Sequence, residues 1–181
     1  MNFLDAQKDM RYGYLGGGVG MLVSGMVWLV AGLIALAGET DRAIWALLIG
    51  GVLISPVSDL VTKALGRPSK SVPGNPLIAL AMEGTVWMIF CLPLAYALAQ
   101  ANPMWFFPAM LLIIGGRYLT FSTVFGMRIY WLCGFFLATA GVALFMFNIP
   151  FHVQPFAGAL IEIILAPFVF LLVRKEEKPS V

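Results

Sequence analysis

Apolar residues run through the chain in six long blocks, separated by short stretches of polar and turn-forming residues. The blocks cover residues 14–37, 43–65, 76–100, 104–124, 128–147 and 153–173. Each is close to the roughly 20 residues that a helix needs to cross a bilayer. Gly38-Glu39-Thr40-Asp41 closes the first block, and Gly66-Arg67-Pro68 with Pro73-Gly74-Asn75-Pro76 divides the second from the third. Ala101-Asn102-Pro103, Gly126 and Asn148-Ile149-Pro150 supply the other breaks, residues that end helices and open turns. Short connections make consecutive helices antiparallel neighbours. The pattern predicts an all-α polytopic membrane protein: one compact six-transmembrane-helix bundle forming a single membrane domain over 1–181. The first block is too long for the 7–15-residue core of a cleaved signal, so it is expected to stay as a helix.

Composition agrees with that class. Hydrophobic residues make up 61% of the 181 and charged residues 11%, against about a quarter charged in soluble domains. The lipid bilayer is therefore the first partner. A net charge of +2 gives no electrostatic footprint for nucleic acid. Its distribution is more informative. With six spans, every Lys and Arg except Arg42 falls on the side of the two termini, so positive charge predicts that both termini are cytoplasmic. Trp45, Trp105 and Phe106 are then expected at the outer interface, and Tyr12, Tyr14, Tyr130 and Trp131 at the inner one.

Four charged residues lie inside the blocks: Asp59, Glu83, Arg117 and Glu162. An ion in hydrocarbon costs roughly 2.5–3.5 kcal/mol on insertion scales, so such residues face a bundle interior or a wet cavity. At about 1.5 Å rise per residue, Asp59, Glu83 and Arg117 fall roughly 9, 11 and 10 Å from the inner ends of their helices. They share a layer, in which Arg117 is expected to neutralise Glu83 or Asp59. Tyr118 adds a hydroxyl there, and Trp87, one turn above Glu83, a stacking wall. Glu162 falls roughly 17 Å deep, near the midplane, with no basic residue expected at its level. A carboxyl so placed is expected to rest protonated and to trade its proton for a cation.

Other features carry less chemistry. Gly16, Gly20 and Ser24 recur every fourth residue, and Gly25 and Gly32 are seven apart. Small residues at that spacing let helices approach closely in lipid, within the bundle or against a second copy in a homo-oligomer. Pro56, Pro93, Pro108 and Pro167 lie inside spans, where proline tends to kink a helix. Cys91 and Cys133 both sit in apolar runs and read as small core residues. One histidine, His152, lies in an outer loop, and no Ser-His-Asp set, metal cluster or phosphate loop is present. The chain is therefore expected to be no enzyme, with no catalytic residue, no cofactor and no metal. A three-plus-three split puts Glu83 and Glu162 in matching places, as an inverted repeat would.

Two stretches carry a resemblance: Ala6-Gln7-Lys8-Asp9-Met10-Arg11 before the glycine-rich span, and Pro103-Met104-Trp105-Phe106-Phe107-Pro108 continuing through Gly115-Gly116-Arg117-Tyr118-Leu119 to Gly126-Met127-Arg128-Ile129-Tyr130-Trp131. They resemble a family of small six-span bacterial inner-membrane proteins of uncharacterised function, a resemblance that implies a multi-pass protein of the bacterial cell inner membrane. Size and topology are also similar to the substrate-binding subunits of energy-coupling-factor vitamin transporters. The expected function is binding or transport of a small polar or cationic solute, coupled to protons through Glu162, in an inward-facing cavity lined by Asp59, Glu83, Arg117, Tyr118 and Trp87. The alternatives are a non-transporting scaffold or accessory subunit with structural charges, and the substrate-binding subunit of a larger uptake transporter.

Overall fold

The computed structural model describes residues 1–177, and all six apolar blocks form helices long and apolar enough to span a membrane. They are α2 (Gly18–Leu36), α3 (Thr40–Ala64), α4 (Leu77–Ala101), α5 (Phe106–Phe125), α6 (Ile129–Met146) and α7 (Gln154–Glu177). A further helix, α1 (Phe3–Tyr14), precedes them and was not anticipated from the apolar blocks. Asn2 caps it by accepting a hydrogen bond from the Asp5 backbone N–H at 2.8 Å, and Ala6, Met10 and Gly13 form its buried stripe. The chain breaks between α1 and α2 at Gly16 and Gly17, whose φ values of 64° and 83° are left-handed. Such angles cost L residues about 1–2 kcal/mol. There the Tyr130 hydroxyl donates to the Gly16 carbonyl, which the break leaves without a helical partner.

The first span and the last form a close seam. A Cβ on Gly25 would lie 2.7 Å from Ile163 Cγ1 and 3.2 Å from the Ile163 backbone N, and one on Gly32 would lie 2.9 Å from the Phe156 ring. The seven-residue spacing thus brings α2 onto α7 within the same chain, with Gly18 set against Val169 and Phe170. Alpha5 and α6 meet in the same way, where Gly115 and Gly134 approach each other's backbone carbonyls. Trp28, Phe106, Phe107, Leu111, Tyr130 and Leu137 fill the core between these pairs. Phe106 and Tyr130 are fully buried, their rings packed on Phe107 and on Tyr118 and Phe125. Pro108 sits in the first turn of α5, where no helical partner exists for its missing N–H. Pro56, Pro93 and Pro167 are inside their helices.

Alpha3 and α4 flank this core loosely. Alpha3 packs on α2, α4 packs on α5, and the two scarcely meet each other. Their ring contact is Trp45 with Tyr96, centroids 5.6 Å apart, towards the end away from the termini. At the opposite end α1 ties the bundle together. The Asn75 side-chain amide donates to the Ala6 carbonyl at 3.0 Å and to Asp9 at 2.7 Å, and the Ser69 backbone N–H donates to the Gly13 carbonyl at 3.1 Å. Gln7 donates to the Thr123 carbonyl at 2.7 Å and Arg11 to that of Phe125, so α1 satisfies the last turn of α5. Arg11 also pairs with Glu176 of α7 at 2.8 Å, which puts the first and last helices at the same end. The helix lies across that end of the bundle.

Candidate functional site

Glu162 is the deepest charged group. It projects from the middle of α7 where the glycine seam draws in α2, and a Cβ on Gly25 would lie 3.2 Å from its Cβ. Its relative exposure is 0%. The hydroxyls of Ser24 on α2 and Tyr118 on α5 face the carboxyl, yet neither of its oxygens makes a hydrogen bond of normal geometry. A buried carboxyl without donors is costly, about 1–3 kcal/mol or more. Cys133 of α6 is the other ionisable neighbour. Four helices therefore converge on one unsatisfied acid.

Arg117 lies beside this group. Its guanidinium donates to the Thr85 hydroxyl at 3.0 Å, approaches Met88 Sδ at 3.6 Å and stands 5.1 Å from the centre of the Phe121 ring. Nε is buried without a partner. The field of Arg117 reaches Glu162, but among the described residues no ion pair joins them. Backbone depth separates the two residues by a turn or more, but an arginine stem spans such a difference. The same observation corrects the expected pairing. Among the described residues no ion pair joins Arg117 to Glu83 or Asp59.

Asp59, Glu83 and Arg117 do not form one cluster. Glu83 is exposed on α4, on the side opposite Gly84, Thr85 and Met88, which turn toward α5. Trp87 shares that outward side and is 63% exposed. A stretch as apolar as 77–101 does not encode which of its faces meets a neighbour. Asp59 is half-buried and accepts a 2.6 Å hydrogen bond from Ser69, holding the α3–α4 connection beside Tyr14. Tyr118 is buried and stacks on Tyr130 with centroids 5.9 Å apart. Glu83 and Glu162 thus occupy unlike surroundings, one outward and one sealed.

Thr85 supplies the partner of Arg117. Sequence reasoning passed over two groups. Ser24 was read only as a small residue in a packing pattern, and its hydroxyl faces the acid. Gln154, 1% exposed at the start of α7, donates to the Ile149 carbonyl at 2.8 Å while its own side-chain oxygen is unpartnered. Its place as a polar residue at the start of an apolar block was the available signal.

Comparison with known proteins gives one match. A model of a family of unknown function, DUF7010, covers residues 3–172. The chain belongs to this family. The match takes in α1 and all six spans as far as Leu172, so the N-terminal helix is part of the shared unit. No curated protein and no solved structure matches the chain. The shown class is a multi-pass, six-helix membrane protein of a family without an assigned activity.

Proposed function

We propose that this protein binds a small polar or cationic solute within the membrane and moves it across, with Glu162 as the group that exchanges a proton for the solute's charge. One observation carries the reading: both Glu162 oxygens are buried within the field of Arg117, and the Ser24 and Tyr118 hydroxyls that face them stand outside normal hydrogen-bond geometry. A structural acid would be expected to have its donors in place, because an unmade buried hydrogen bond lowers stability. The route lies between α3 and α4, which do not close on each other as the other neighbouring helices do. Thr85 and Arg117 stand on the α4–α5 side of that route. In this reading the protein is not an enzyme. It resides in the cytoplasmic membrane of a bacterium, with both termini in the cytoplasm.

A scaffold role is the second reading, favoured by the complete burial of Glu162 and by the ties of α1 across one end of the bundle. Proteoliposomes containing a trapped pH dye separate the two. Pulses of small organic cations such as choline, guanidinium and putrescine should drive proton movement in the parent protein, and Glu162→Gln should abolish it while keeping the fold. Equal traces from both proteins would remove Glu162 from the mechanism. Reporter fusions test the orientation: a cytoplasm-only reporter should be active at either terminus and silent at Thr40.

A further inference from the structure

A surface groove lies away from Glu162, between α6 and α7 at the end where the termini meet. Its volume is about 710 Å³, and Arg128, Trp131, Leu132, Phe168, Leu171 and Lys175 are among its walls. The chemistry is graded along its length. Phe168, Leu171 and Lys175 recur at helical spacing, so one side of α7 presents two apolar residues and then a cation at its end. Alpha6 mirrors this, with Arg128 at its start and Trp131 one turn deeper. The apolar floor therefore points into the membrane, and both positive charges stand at headgroup level.

Among the described residues neither Arg128 nor Lys175 has an ion-pair partner. Among the described residues the ion pairs are Arg11 with Glu176 and Arg42 with Glu39. The acid next to Lys175 is thus already engaged by α1, and both Arg128 and Lys175 are exposed. An arginine offers a planar fork that fits phosphate oxygens, and a lysine adds a point charge. Basic grooves between membrane helices recognise acidic lipid headgroups by this combination. A zwitterionic lipid would fill the same apolar floor but leave the paired charge unanswered.

We propose that the α6–α7 groove is a binding site for one anionic phospholipid from the leaflet at the basic end of the bundle, its phosphate held by Arg128 and Lys175 and its acyl chain lying over Trp131, Leu132, Phe168 and Leu171. The site is independent of the proposed role of Glu162.

Native mass spectrometry of the full-length protein in detergent, titrated with phosphatidylglycerol or phosphatidylcholine, tests this. The parent should retain one phosphatidylglycerol about tenfold better than phosphatidylcholine, roughly what two interfacial cations supply. Arg128→Gln with Lys175→Gln should bring both lipids to the same level, and Lys175→Glu alone should lower phosphatidylglycerol retention. Arg174→Gln, an exposed cation outside the groove, should leave the preference intact. Inorganic phosphate should not displace the lipid. Equal retention of the two lipids by the parent, an unchanged preference in the double variant, or displacement by phosphate would each overturn the proposal.

Discussion

The α2–α7 seam and the α3–α4 flank are built from similarly apolar sequence and behave in opposite ways. Along the seam, glycines at 18, 25 and 32 let one backbone settle against Ile163, Phe156 and Val169. Along the flank, a Cβ on Gly51 would meet nothing within 4 Å, and large residues such as Val52, Phe90 and Leu94 stay exposed. In lipid there is no hydrophobic drive between helices, so close backbone approach and polar contacts decide which faces join. The difference gives the two regions separate characters: the seam fixes Glu162 in place, and the flank leaves large faces of α3 and α4 unpacked.

The sharpest break of that comparison is steric. Gly25→Leu should destabilise the protein by about 3 kcal/mol, since its Cβ would meet backbone that cannot step aside. Gly51→Leu should be neutral or slightly stabilising, within about 1 kcal/mol, because Leu is the better helix former. Reversible unfolding in mixed detergent micelles measures both, and equal losses would erase the distinction between seam and flank.

Polar groups extend the contrast at a smaller scale. Thr85→Val keeps the side-chain shape while removing the hydroxyl that receives Arg117, and should cost about 1–3 kcal/mol. Glu83→Gln, on the outward face of the same helix, should stay within about 0.5 kcal/mol. In a double-mutant cycle, Glu83→Gln and Arg117→Gln should add, as residues without a shared contact do. Strong coupling would restore the pairing expected from their common depth.

Access is the subtlest difference, read in rate rather than stability. With Cys91→Ala and Cys133→Ala as background, Ser55→Cys lies one turn from Asp59 on the same face of α3, and Leu53→Cys lies on another face. A membrane-impermeant thiol reagent should label Ser55→Cys several-fold faster. Equal rates would mean that no water enters between α3 and α4.

The six spans were legible because twenty apolar residues in succession allow few other structures. Alpha1 was not, since twelve residues containing Lys8, Asp9 and Arg11 fail a hydropathy test; the signal was the spacing of Ala6, Met10 and Gly13 behind an Asn2 cap. Glu162 stood out because depth is computable from sequence. Its partners did not, because depth is one coordinate of three. The rotation of α4, which sends Glu83 outward, follows from the close approach of Gly84 to Thr120, a packing event between helices. The length of the Arg117 side chain supplied the rest.

The central claim, that Glu162 exchanges protons inside the bundle, is open to direct observation. Infrared difference spectra of the reconstituted protein, recorded across pH steps in light and heavy water, report carboxyl groups individually when compared with Glu162→Gln. The account predicts a carboxyl band that changes with pH, shifts on deuteration and vanishes in Glu162→Gln with the helical amide bands unchanged. Identical difference spectra for parent and variant over the whole range in which both stay folded would contradict it.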